Sequence, residues 1–212
     1  MRITKFGHCC LLIQEKDLCI LTDPGDYNDT PDVSGIDLIL LTHEHKDHLY
    51  IPSLQKILEK NSGVRIITHQ SVGAILDAEK IPHTLLGDKK EIIFKDVAIS
   101  SFGTTHACIH HDLPKVQNTG FMIAHKLFYP GDSLDVPGEA VEILALPVAG
   151  PWLTLEDVIE YAKAVHPKVV FPVHDGMLRQ DRLGSTRAIP PLILAKIGIE
   201  YVDMTDGAVK DF

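Results

Sequence analysis

The chain has 212 residues, of which 45% are hydrophobic and 23% charged, and it carries a net charge of −9. That composition is ordinary for a folded protein with a real core. It argues against a chain that tracks nucleic-acid backbone or an anionic membrane, since either needs a basic stripe and no Lys/Arg-rich run is present. A phosphate-bearing substrate is still compatible, because bound cations would dominate the local field.

The predicted elements begin at once. Residues 1–6, 9–14 and 18–22 read as short strands separated by polar turns, and Asp23-Pro24-Gly25-Asp26 stops the third. The start is an alternating strand pattern, not a basic head before an apolar stretch, so no leader is expected. Nor is there a run of about 18 apolar residues that would cross a membrane. Three of the four cysteines, Cys9, Cys10 and Cys19, lie in these apolar runs, and with Cys108 they read as reduced thiols, mostly core residues. That implies a cytoplasmic location.

Residues 36–41 form a continuous apolar run, expected to be a buried strand. It leads directly into His43-Glu44-His45-Lys46-Asp47-His48. A helix follows, with Pro52 in its first turn and Ile51, Leu54, Ile57 and Leu58 as its inner stripe. A strand is expected at 64–68, a short helix at 71–79, and strands near 83–86, 91–94 and 97–102. Residues 103–118 are polar and rich in histidine, a loop long enough to suggest function. Strands are expected at 120–124, 126–130 and 143–146. Thr154 and Asp157 make a capping-box pattern ahead of a helix with Leu155, Val158, Ile159, Ala162 and Val165 inward. A strand at 169–173 ends at His174-Asp175-Gly176. A helix at 187–197 and a strand near 199–202 close the pattern.

The order of elements repeats weakly. His43 to His69 in the first half and Pro147 to His174 in the second each enclose a helix between two strands. Two β-rich halves with helices outside predict an α/β fold, a four-layer αββα sandwich. No linker rich in Pro, Gly or Ser interrupts it, so residues 1–212 read as one domain.

The histidines carry the chemistry. In His43-x-His45-x-Asp47-His48, four of six residues are potential metal ligands. Residues two apart share a side in extended backbone but diverge on a helix, so the motif belongs at a strand end, where the preceding run puts it. Imidazole and carboxylate suit zinc, iron or manganese. His106, Asp132 and His174 also follow strands. Singly, each reads as a surface histidine or a common turn; together with the cluster they define candidate ligands at the strand ends where open α/β sheets place active groups.

With these residues in view, the sequence resembles the metallo-β-lactamase superfamily. The opening Phe6-Gly7-His8-Cys9-Cys10-Leu11 and the ending Pro172-Val173-His174-Asp175-Gly176 are similar to the branch of ascorbate-6-phosphate lactonase and uncharacterised bacterial metal-dependent hydrolases. N-acylphosphatidylethanolamine phospholipase D shares these motifs. The resemblance implies that His43, His45 and His106 hold one divalent ion, that Asp47, His48 and His174 hold a second, and that Asp132 bridges them. Asp23 would orient a ligand imidazole. Zinc is the leading metal, with manganese and iron as alternatives. His45 stands where di-iron oxygen-reducing relatives have Glu, and no candidate ligand is Cys.

The implied chemistry is attack of a metal-activated hydroxide on an ester, lactone or related small-molecule bond, with the oxyanion stabilised by metal and Asp47 in a secondary catalytic role of accepting or relaying a proton. The alternatives are a phosphodiesterase or nuclease with the same dinuclear site, for which no basic groove is visible, and a non-catalytic metal-binding protein. The expected partner is a small-molecule substrate, compatible with an anionic one; no nucleic acid and no membrane are expected, and an oligomer is compatible with the chain. His8 is open to two readings, reaching the substrate site or packing. His110 and His111, in the long loop, are candidates to contact substrate, through an anionic group if it has one. His69 reads as a surface residue, with anion binding at a helix start as the alternative; His83, His125 and His166 read as structural or exposed. Trp152 either lines the pocket rim or packs under the helix that follows it.

Overall fold

The structure is a computed structural model describing residues 1–179, 181 and 183–212. Fourteen strands form among them: β1 (Arg2–Gly7), β2 (Cys10–Glu15), β3 (Leu18–Thr22), β4 (Leu38–Leu40), β5 (Arg65–Thr68), β6 (Thr84–Leu85), β7 (Glu91–Phe94), β8 (Val97–Phe102), β9 (Gly120–Ile123), β10 (Leu127–Tyr129), β11 (Ile143–Pro147), β12 (Val169–Val173), β13 (Glu200–Tyr201) and β14 (Val209–Asp211). Four α-helices accompany them: α1 (Ile51–Lys60), α2 (Gln70–Ala78), α3 (Leu155–Val165) and α4 (Gly184–Leu194).

The strands make two seven-stranded sheets, ordered β14-β1-β2-β3-β4-β5-β6 and β13-β12-β11-β10-β9-β8-β7. Each sheet begins as an antiparallel meander and continues as three parallel pairs, from β3 to β6 in one and from β10 to β13 in the other. This is the structural form of the weak repeat in the sequence.

Side-chain periodicity builds the layers. Ile3, Leu11, Ile13, Ile20, Leu38 and Leu40 of one sheet meet Ile99, Phe121, Ile123, Tyr129, Ala145 and Phe171 of the other in a shared core. The outer face of the first sheet packs Leu21, Ile39 and Ile66 on Leu54, Ile57, Val72 and Leu76 of α1 and α2. The outer face of the second packs Leu144, Leu146 and Val170 on Val158, Ile159, Ala162 and Leu194 of α3 and α4. The result is an αββα sandwich. β4 and β11 are buried along their whole length because helices cover the face turned away from the partner sheet. At the start of α3, Thr154 accepts from the Asp157 amide at 3.2 Å while the Asp157 carboxylate accepts from the Thr154 amide at 2.8 Å. This closes the expected capping box.

Two elements depart from the sequence pattern. The last helix starts at Gly184, before the expected 187, and its final residues, Ala195–Ile197, form a 3₁₀ turn; Gly184-Ser185-Thr186 offers no apolar stripe to announce a start. Strand β14 is exposed at all three positions and was not expected. Its pairing with β1 is backbone only, so no alternation marks it. No helix among the described residues is long and apolar enough to cross a membrane.

Candidate metal centre

The candidate ligands sit where strands end. His8 follows β1, Asp23 follows β3, the segment 42–48 follows β4, His106 lies beyond β8, Asp132 beyond β10 and His174 directly after β12. Their convergence follows from the topology, because the parallel strands of both sheets run toward the same edge of the sandwich.

Asp23 anchors the group. It is fully buried, and its carboxylate accepts from the Thr42 amide at 2.8 Å, the Thr42 hydroxyl at 2.6 Å and the Tyr129 hydroxyl at 2.6 Å. It also lies 2.7 Å from His48 Nδ1. These contacts set the tautomers. His48 donates from Nδ1 to Asp23, so Nε2 is the nitrogen turned inward, where a cation would take the place of its proton. The Thr42 hydroxyl gives its proton to Asp23 and so accepts from His43 Nδ1 at 3.0 Å, again freeing Nε2. His106 donates from Nδ1 to the Ala107 carbonyl at 2.5 Å, with the same consequence. In each case the outer hydrogen bond directs a lone pair into the centre, as metal-binding imidazoles require.

The inward nitrogens surround one carboxylate. Asp132 lies 3.2 Å from His106 Nε2, 2.9 Å from His174 Nε2, 3.2 Å from His48 Nε2 and 3.7 Å from His43 Nε2. His45 Nδ1 is 3.0 Å from His43 Nε2. Among the described residues, His43, His45, His106 and Asp132 form one group whose possible ligand atoms all lie within 4.8 Å of one another. On the other side of Asp132, Asp47 Oδ2 is 3.6 Å from His174 Nε2 and 3.9 Å from His48 Nε2. The structure thus brings all seven sequence-selected ligands together.

The donor set fits divalent cations. His48 Nε2, His174 Nε2 and Asp132 Oδ1 are buried and make no well-directed hydrogen bond; their contacts are the close approaches to one another across the Asp132 carboxylate, an arrangement suited to an electropositive ion among them. Electrostatics agree. Burial, with His48 beside it, holds His43 well below the usual imidazole pKa, in the neutral form that ligates. At His48 burial opposes a charge, but Asp132 and Asp23 on its two sides outweigh it and raise the pKa well above the ordinary value; a cation would displace that proton. Burial would raise the Asp132 carboxyl, yet His48 and His174 hold it well below the usual range. Asp47 is lowered to about 2, since the His8 hydrogen bond and the His48 charge outweigh its burial.

Several side residues differ from their expected roles. His8 is fully buried. Its Nδ1 accepts from the Gly176 amide at 3.0 Å, so Nε2 carries the proton and donates to Asp47 at 3.2 Å. With both nitrogens engaged within the protein, His8 is placed to orient Asp47, the packing side of its two expected readings. His69 is buried, not a surface residue: Nε2 donates to the Thr42 carbonyl at 2.8 Å and Nδ1 lies 3.1 Å from Ser71 Oγ. It braces the ligand segment from α2. Cys9 and Cys10 are buried as expected, but Cys108 is exposed. The Cys9 thiol lies beside His48 in the second ligand-capable group, but burial pushes its pKa to about 11, which keeps it protonated and a poor ligand. His110 and His111 are exposed and line a cavity of about 430 Å³ whose inner wall includes His45 and His106. Trp152 belongs to the site, with its ring 5.7 Å from that of His106 and 5.6 Å from that of His174.

Three of these residues hold left-handed backbone: φ is 47° at His8, 34° at Asp23 and 60° at His174. Beyond His174, Asp175 is fully buried and accepts from Lys5 Nζ at 2.7 and 2.8 Å and from Arg187 at 2.6 Å. Arg187 also pairs with Asp203. Lys5 is itself fully buried, so replacing it by Met should lower unfolding stability by about 3 kcal/mol through an undercompensated carboxylate. An unchanged midpoint in urea would show that Arg187 alone neutralises Asp175.

A helix-flanked pair of mixed sheets with a ring of imidazoles and carboxylates at its strand ends defines a metallo-β-lactamase fold protein. The chain belongs to the beta-lactamase superfamily: residues 2–174 match the family model described as beta-lactamase superfamily domain. It is 32% identical over 190 residues to Protein Rv0786c of Mycobacterium tuberculosis, covering 87% of this chain and 88% of that one. It is 28% identical over 207 residues to a protein of Aeropyrum pernix named metal-dependent hydrolase, covering 82% of each. Among solved structures it is similar to the metallo-beta-lactamase fold protein YhfI of Bacillus subtilis, with a TM-score of 0.69, 14% identity, and coverage of 99% and 98% of the two chains.

Proposed function

We propose that this metal-dependent hydrolase cleaves an ester, lactone or related small-molecule bond at a centre of two divalent cations, zinc foremost. The observation that carries the reading is the placement of Asp132, flanked by the inward nitrogens of His43, His48, His106 and His174. In this reading His43, His45 and His106 would hold one cation, Asp47, His48 and His174 would hold the other, and Asp132 would contribute to both. When bound, the cations supply Lewis acidity and bring the pKa of a water toward neutrality.

The chain's own groups do the rest. Asp23, Thr42 and the Ala107 carbonyl keep the imidazoles in the tautomers that ligate. His8 fixes Asp47, whose low pKa keeps it ionised. Against the effect of burial, the His8 hydrogen bond lowers the Asp47 carboxyl and so weakens it as a general base; Asp47 would serve mainly as ligand and hydrogen-bond acceptor, with proton relay secondary. Trp152 lies edge-on to both His106 and His174. An exposed thiol at Cys108 suits a reducing, cytoplasmic compartment, and the substrate is a small molecule, not a nucleic acid or a membrane.

His45→Ala should lower kcat/KM by roughly 100- to 1000-fold and reduce bound metal measured by elemental analysis. Unchanged metal content would remove His45 from the ligand set. Purified protein loaded with zinc, then separately with manganese, is to be assayed on lactones, thioesters and phosphodiesters. Turnover of lactones or thioesters supports the proposal. Turnover of phosphodiesters alone would replace it with a phosphodiesterase, and no turnover after confirmed loading with a non-catalytic metal-binding protein.

A further inference from the structure

Between β8 and β9 the chain runs from 103 to 119 without helix or strand, and within this polar stretch lies an apolar wall. Ile109 is 38% and Leu113 54% exposed. With Ala107, Pro114 and Val116 they face the same cavity of about 430 Å³ that ends on His45 and His106. That volume falls in the range of small-molecule sites, which pair apolar walls with a few polar groups. Contiguous exposed apolar side chains beside a reactive group are the usual mark of a ligand groove. The polar groups here, besides His45 and His106, are Thr105, Cys108, His110, His111 and Lys115; among the described residues no Asp or Glu lines the cavity.

We infer that this cavity takes the apolar acyl chain of the substrate, which makes the preferred substrate an ester or lactone of a medium-chain acid. The inference rests on the hydrolase reading of the adjoining centre. A carbonyl held beside His45 and His106 directs the chain attached to it along Ile109 and Leu113. Each methylene that leaves water there strengthens binding by about threefold, until the cavity is filled. Lys115 at the lining attracts the carboxylate product, while His110 and His111 face the Asp112 carboxylate outside the cavity lining.

The test has a binding arm and a turnover arm. Trp152, the sole tryptophan, lies against His106, so its fluorescence reports occupancy. Cys108 is exposed and lines the cavity, so its alkylation by N-ethylmaleimide reports it independently, with a Cys108→Ser protein correcting for labelling elsewhere. Sodium octanoate should bind on the order of 100-fold more tightly than sodium butyrate and should slow alkylation of Cys108. For p-nitrophenyl esters, the octanoyl-to-acetyl ratio of kcat/KM should be on the order of 1000, and Leu113→Asp should cut that ratio at least about tenfold. Leu113 is exposed, so the variant should fold.

Equal binding of octanoate and butyrate with unprotected Cys108, or an acetyl ester cleaved as well as an octanoyl one, overturns the inference and leaves the hydrolase reading intact. Octanoate bound and Cys108 protected while no ester of any length is cleaved supports the apolar-chain site and overturns the ester reading instead.

Discussion

Asp132→Ala should abolish hydrolysis, lowering kcat/KM on the order of 10⁴-fold or more, and should leave the purified protein without stoichiometric metal. No other side chain in the centre is placed as this one is. Nitrogens of four histidines lie within 3.7 Å of its carboxylate, and the Asp132 amide is held by Asn118 Oδ1 at 3.1 Å. Removing the carboxylate leaves those nitrogens converging without an anion, so two cations would meet only neutral imidazoles and one carboxylate, Asp47. Asp132→Asn separates charge from shape, since the amide keeps the hydrogen-bond geometry and loses the negative charge. Both variants should lose metal and activity together in elemental analysis and steady-state assays. A fully metal-loaded, inactive Asp132→Ala protein would move Asp132 out of the bridging position.

The second large effect is expected from a residue with no chemistry. A Cβ built on Gly25 would lie 1.8 Å from the Asp47 carbonyl oxygen, 2.0 Å from its carbon and 2.6 Å from the His48 amide nitrogen. All three are backbone atoms, which cannot swing aside as a side-chain tip would. The loops are also tied together here, with the Asp26 amide donating to the Lys46 carbonyl at 2.9 Å. Gly25→Ala should therefore displace the segment bearing Asp47 and His48, costing about 2–4 kcal/mol of stability and weakening metal binding. Gly87→Ala is the control, because nothing lies within 4 Å of its Cβ position. Thermal melts with and without added zinc check both. A Gly25→Ala protein that melts and binds zinc like its parent would mean the loop accommodates the methyl group, and the close approach would carry no weight.

Much of this arrangement was legible in the residue pattern. The strand ends could be read because apolar runs such as 36–41 and 169–173 stop abruptly at His-bearing segments, and the ligand set followed from those ends together with the family resemblance. The hydrogen-bonded shell was harder to see. His8 and His69 are buried by contacts with Gly176, Asp47 and Thr42 that are distant in sequence, and nothing local distinguishes a histidine that braces from one that faces water. Tyr129 reads as another apolar strand residue until its hydroxyl is found on Asp23. Trp152 follows Gly150-Pro151, where a turn hides its direction. The apolar wall at Ile109 and Leu113 was masked by the histidines, Lys115 and Asp112 around it, because periodicity has no meaning in an irregular loop.

The left-handed backbone at His8, Asp23 and His174 carries an evolutionary implication. Each is a conformation that L side chains occupy at a cost and glycine occupies freely. Selection on thermal endurance alone would drift these three sites toward glycine or asparagine and erase the centre while the sandwich persisted. A sequence optimised for endurance alone would accordingly be inert, and the side chains at these three sites set reactivity against a calmer backbone.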